Sequence, residues 1–138
     1  MKINEIDPDY ETVKIDQIGV IDSLTGAVVF KDETVEFVMS GFSSEVARYI
    51  SNFLEGNREE PPTIYKLVEQ ICEENEMHLV KVKIYESGGI FRANLYFTGE
   101  KDLVFRNFRA SDAIALATYY SIPILVRKSL IKKTDLQK

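Results

Sequence analysis

The stretch VKVKIYESGGIFRANLYF, residues 80–97, constrains the fold more tightly than any other part of the chain. Val80, Val82 and Ile84 alternate with Lys81, Lys83 and Tyr85, the two-residue period of a strand with one buried face. Ser87-Gly88-Gly89 supplies a turn. A return strand then sets Phe91, Ala93, Leu95 and Phe97 against Arg92, Asn94 and Tyr96 on the other side. The alternation predicts an antiparallel hairpin over about 79–98 with one core face and one polar face.

Something apolar must cover that core face, and FRASDAIALATYYSIPILV, residues 108–126, offers it. Ala113, Ile114, Ala115, Leu116 and Ala117 leave no polar side until Thr118, which predicts a buried helix at about 111–120 whose alanines allow close approach to a sheet. Ser111 reads as the N-cap, and Asp112 as negative charge at the positive end of the helix dipole. DLVFRNF before this helix reads as a strand and SIPILV after it as a last strand, with Pro123 at its start or at a sheet edge. Such a strand could pair across a two-fold axis.

The first half of the chain repeats the alternation between strands and helices. TVKIDQIGVI, residues 12–21, predicts one strand with a bulge at Gln17, where the apolar phase slips by one. Strands at 27–31 and 34–39 follow, joined by a tight Asp32-Glu33 turn. In SSEVARYISNFLEGN, Val46, Ala47, Ile50, Phe53 and Leu54 have helical spacing, with Ser43 or Ser44 as cap and Gly56 as stop. Pro61-Pro62 marks a linker. Thr63 then caps a second helix with Ile64, Leu67, Val68, Ile71 and Cys72 on its apolar face. The order is compatible with a β-β-β-α duplication inside a single-domain α+β fold, mainly antiparallel, with about three helices.

At 138 residues the chain suffices for one domain with a core. MKINEIDPDY lacks the apolar core of a signal peptide, and no stretch approaches a membrane span, so a cytoplasmic protein is expected. One cysteine rules out an internal disulfide. Cys72 reads as a packed thiol, because thiolate chemistry would need the single histidine, His78, beside it. The net charge of −5 divides unevenly: residues 1–76 carry six Lys or Arg and seventeen Asp or Glu, residues 77–138 eleven and five. Balances of −11 and +6 suit an anion-binding face on the second half, opposed surfaces meeting within the fold or across a homodimer, or simple neutralisation.

With one histidine and one cysteine, a His-based triad or Cys/His metal site has little material, and neither GxGxxG nor GxxxxGK[ST] occurs. Carboxylates, arginines and hydroxyls remain. They suit phosphodiester hydrolysis, in which acidic groups act as base or hold a divalent metal such as magnesium or manganese and arginines neutralise phosphate. Lys81, Lys83 and Arg92, interleaved with Tyr85 and Tyr96, could contact single-stranded DNA or RNA, or could form an ordinary solvated sheet face. The basic run Arg127, Lys128, Lys132 and Lys133 suits a solubilising tail.

RASDAIALATYYSIPILV resembles the RPSDAIALA...PI.V signature of the bifunctional nuclease (BFN) domain family. Upstream, SSEVARYISNFLEG is similar to that family's E-A-x-x-I helix, PPTIYKLVEQI to its RP-x-T-H-x-L helix, and VKVKIYESGGIFRANLYF to its V-x-I-x-x-x-x-x-G-x-F-x-A strands. Together these span about 25–128. The resemblance implies an α+β domain, dimeric, in a family named for degrading DNA and RNA. It carries catalytic roles onto Glu45, Arg109 and Asp112 and substrate binding onto Ser111 and Asn107. Ala110 stands in place of the signature proline, Asn107 where aspartate is common, and Ile64 or Tyr65 where histidine is frequent. An Arg109–Asp112 pair across a helix mouth could equally be architectural.

Overall fold

The computed structural model describes residues 6–32, 34–58 and 63–133. In chain order they form β1 (Tyr10–Val13), β2 (Ile15–Val20), β3 (Thr25–Lys31), β4 (Val35–Ser43), α1 (Ser44–Leu54), α2 (Ile64–Glu74), β5 (His78–Ser87), β6 (Ile90–Thr98), β7 (Leu103–Arg109), α3 (Ala110–Tyr120), β8 (Ile124–Arg127), a 3-10 turn (Lys128–Leu130) and β9 (Lys132–Lys133). Two sheets result, in the orders β1-β8-β5-β6-β7 and β2-β3-β4-β9. All pairings are antiparallel except β5 with β8. The fold class is therefore α+β, as the sequence predicts. Glu33 and Pro61-Pro62, read as turn and linker, lie outside the described residues, as do the side chains of Lys132 and Lys133.

The hairpin forms as β5 and β6, and Gly88 and Gly89 turn it at φ +62° and +79°, a pair of left-handed conformations that closes a two-residue loop with the twist of its strands. Val82, Ile84 and Ala93 are fully buried beneath α3. Helix α3 packs against α1, which covers β2 and β3 of the second sheet, so the two helices are the filling between the sheets. One apolar cluster results, with Val28 and Phe30 from β3, Ile50 from α1, Ile114 and Tyr119 from α3 and Val126 from β8 all buried. At Gly26 the approach of α1 is so close that a Cβ would lie 2.6 Å from the Phe42 ring and 2.9 Å from the Ala47 methyl.

Residues 12–21 are not one strand. The chain leaves the five-stranded sheet at Lys14, and β2 enters the other sheet with its bulge at Asp16, between Ile15 and Gln17. Part of the phase slip thus records a change of sheet. Strand β8 is not an edge either, because β1 and β5 take up both of its sides. That removes SIPILV as a two-fold pairing surface and leaves β1 and β7 at the edges of this sheet. On α2, Tyr65 and Cys72 face the core, whereas Ile64, Leu67 and Ile71 are about half exposed or more, so the apolar stripe is rotated away from its predicted burial.

The polar face of the hairpin is also partly closed. Lys83 is only 4% exposed, its Nζ donates to Asp7 Oδ2 at 2.8 Å, and it lies within about 5 Å of the Tyr10 and Tyr96 ring centres. The bonds from Lys83 and from the Asp9 amide hold the Asp7 carboxyl below its ordinary pKa. Asp7 thereby straps the segment leading into β1 across the sheet. A carboxyl depressed by folding adds stability that is complete above the usual carboxylate value of about 3.9 and is lost as pH falls through the lower folded value. Amide exchange of Tyr10–Val13 should therefore accelerate on acidification below about pH 4 in the wild type. In Lys83→Met the acid-dependent step should vanish; an unchanged step would show that the strap is held by something else.

Candidate functional site

Three helices begin at the same end of the molecule. Ser43 caps α1, its hydroxyl accepting from the Val46 amide at 3.2 Å, and Thr63 caps α2 by accepting from Lys66 N at 3.4 Å. Helix α3 starts differently: Arg109 occupies the cap position in an extended conformation, φ −63° and ψ 134°, and no side chain accepts from its first turn. The Arg109 guanidinium instead turns onto Asp112, Nε donating to Oδ2 at 2.9 Å and one Nη to Oδ1 at 3.2 Å. That fork uses both carboxylate oxygens, and the pairing raises the pKa of Arg109.

These starts enclose an open cleft of about 550 Å³. Glu45, Thr63, Tyr65, Arg109 and Asp112 line it, over an apolar floor that includes Leu95, Phe108 and Leu116. The three residues singled out as catalytic, Glu45, Arg109 and Asp112, are thus brought together. Each helix start contributes roughly half a positive elementary charge from its unpaired amides, so three of them favour an anion here. Glu45 is exposed and has no hydrogen-bond or ion-pair partner among the described residues.

Ser111 does not cap α3. The helix begins one residue earlier, and Ser111 lies inside the first turn, 6% exposed. The side chain at the true cap is an arginine, which cannot accept a bond from an amide; that is why the helix is uncapped. The hairpin cations fall elsewhere. Lys81 and Lys83 alternate with Val82 and Ile84, whose side chains enter the core under α3, and Arg92 pairs with Tyr85 on the lysine side. None of the three lines the cleft. Asn107 sits in a bulge of β7 at φ +67°, where asparagine is tolerated. Its amide donates to Asn94 Oδ1 at 3.1 Å, and its own Oδ1 accepts from the Tyr85 hydroxyl. These bonds anchor the strand that delivers Arg109.

Tyr65 was hidden in the sequence by its apolar neighbours. Tyr65 and Cys72, the two buried residues of α2, are related i, i+7, but so are the exposed Ile64 and Ile71, so spacing does not set the covered face of that helix. Its ring is wedged edge-on against Tyr49 and Phe53, with centroids 5.7 and 5.4 Å apart. Burial first, and then the negative charge of Asp112, push its phenol pKa up to about 12. The hydroxyl therefore stays protonated, and it has no hydrogen-bond partner among the described residues. Cys72 is buried, His78 is exposed at the start of β5, and neither reaches the cleft.

Among the described residues no helix is long and apolar enough to cross a membrane, and no three His, Cys, Asp or Glu residues gather as a metal site. No curated protein matches the chain. Residues 28–138 match the family described as Bifunctional nuclease domain, a span that runs from within β3 to the end of the chain and includes the whole Glu45–Arg109–Asp112 cleft. The chain belongs to the bifunctional nuclease domain family.

Proposed function

We propose that the protein hydrolyses phosphodiester bonds in single-stranded DNA or RNA at the Glu45–Arg109–Asp112 cleft. The observation that carries this reading is the meeting of three helix N-termini around one unpaired carboxylate and one fixed guanidinium. Glu45, the carboxylate left free, takes a proton from the attacking water. Arg109, held by the Asp112 fork, meets the charge that accumulates on the phosphoryl oxygens as the bond to the leaving oxygen breaks. Asp112 acts first by positioning Arg109. Tyr65 offers a neutral hydroxyl as hydrogen-bond donor to the substrate.

A divalent ion, magnesium or manganese, would take Glu45 and Asp112 as its protein ligands and complete its shell with substrate phosphate and water, the habit of magnesium. Its chemistry would be to neutralise phosphoryl charge. Arg109→Gln, Glu45→Gln and Asp112→Asn should each lower cleavage of single-stranded DNA and RNA by on the order of a hundredfold, in magnesium or manganese with a chelator control, while circular dichroism stays native. No cleavage by the wild type, or equal cleavage by the folded variants, would overturn the assignment.

The reading includes a homodimer. Ile64, Leu67 and Ile71 form an exposed stripe on α2, and Phe105 and Phe108 are nearly half exposed on the edge strand β7. Ile64 and Phe108 both line the cleft, so a second copy seated on these residues would wall its open side. Light scattering should give twice the monomer mass at micromolar concentration, and Leu67→Glu should return the monomer. A wild-type monomer would remove the dimer and leave the cleft reading in place.

A further inference from the structure

Phosphodiester chemistry uses only part of the cleft. Glu45, Arg109 and Asp112 suit a phosphate, whereas Val68, Leu95, Phe108 and Leu116 beside them offer it nothing but apolar surface. A phosphate alone would leave that surface facing water. Phe108 is 46% exposed, and its ring has no aromatic or cationic partner among the described residues. The strand explains the bare ring. β7 bulges at Asn107 and sets Phe108 opposite Ala93, whose single methyl cannot cover a ring. Phe105, nearly as exposed on the same strand, faces Leu95 and packs edge-on against Phe97 with centroids 5.5 Å apart, and it lies outside the cleft.

We propose that Phe108 is a nucleobase platform: the base beside the scissile phosphate stacks on its ring while the phosphate meets Arg109, the next residue in the chain. Resting on the nuclease reading, this platform adds what the site selects, an unpaired base. A ring beside a guanidinium matches a nucleotide, which joins a flat apolar face to an anion within one small unit. The Asp112 fork fixes the guanidinium, so base and phosphate are held at one spacing. The cleft, at about 550 Å³, lies within the roughly 300–1,000 Å³ of small-molecule sites.

Two consequences follow for the substrate. Every base has a flat face, so the platform adds affinity without reading sequence. Inside a duplex that face is already covered by the neighbouring bases, and unstacking it costs free energy before Phe108 can take it. A phenylalanine here therefore favours single strands over double strands, and DNA and RNA alike.

The chain has no tryptophan, so Phe108→Trp places a single fluorophore in the cleft. Binding is measured in the Glu45→Gln background, to keep the oligonucleotides intact. A short oligothymidylate should quench the introduced indole, and an abasic oligonucleotide of the same length and charge should not. Phe108→Leu keeps the apolar bulk without the flat face and should weaken oligothymidylate binding by about tenfold, the scale of one stacked base. Phe108→Trp should restore that affinity, and the abasic oligonucleotide should bind Phe108 and Phe108→Leu proteins equally. Equal quenching by both oligonucleotides, or unchanged oligothymidylate affinity in folded Phe108→Leu, would overturn the platform even if the wild type cleaves. Light scattering on the same samples reads out the competing occupant. An indole that no oligonucleotide quenches, and whose emission changes only as a dimer dissociates on dilution, puts a second copy on the ring and also overturns the platform. Base-dependent quenching with no cleavage by the wild type would instead sink the nuclease reading and leave the platform standing.

Discussion

Helix α3 can exist only where water is absent on every side. Nine of its residues, from Ala110 through Tyr119, are buried, and the small Ala113, Ala115 and Ala117 let α1 and both hairpin strands approach it closely. At roughly 25 cal/mol for each Å² of apolar surface removed from water, that burial stabilises the site-bearing end of the chain. It also fixes direction. With α3 packed, its N-terminus opens at the end of the molecule where α1 and α2 begin, and Arg109 and Asp112 line the cleft there.

The same device delivers both of the helices that bear Glu45 and Asp112. Each three-strand meander ends in a bulge with one residue of positive φ, Gly41 at +95° and Asn107 at +67°. A phenylalanine and the cap residue follow, and then the helix: Gly41-Phe42-Ser43 leads into α1, Asn107-Phe108-Arg109 into α3. The strand-strand-strand-helix order therefore occurs twice, with one difference of consequence. Where the first copy has a serine that caps, the second has an arginine that cannot, and the first turn of α3 is left without a side-chain cap. In this register Ser44 corresponds to Ala110.

Electrostatics explains why Lys83 is withdrawn from the polar face of the hairpin. Burying Lys83 requires a counter-charge, and Asp7 from the acidic half provides it, while the Tyr10 and Tyr96 rings lie beside the ammonium group. One contact of the kind implied by the opposed charges of the two halves is thus made within the fold. The anion-attracting end is built instead from Arg109 and from backbone dipoles, which a count of lysines and arginines does not register.

Local pattern was enough for what depends on near neighbours. Period-two alternation and Gly88-Gly89 specify the hairpin, Ser43 and Thr63 specify two helix starts, and the unbroken apolar run from Ala113 specifies a buried helix, because each is decided by groups within a few residues. Tertiary structure alone decided which face of α2 is covered, that residues 12–21 divide between two sheets, and that Lys83 is buried against a residue 76 positions away. It alone joined Glu45 to Arg109 and Asp112, and it put Tyr65 among them. The physical reason is that burial and charge pairing depend on what lies across space, and the partner that supplies the contact is set by how the sheets close on α1 and α3, not by the residues adjacent in the chain.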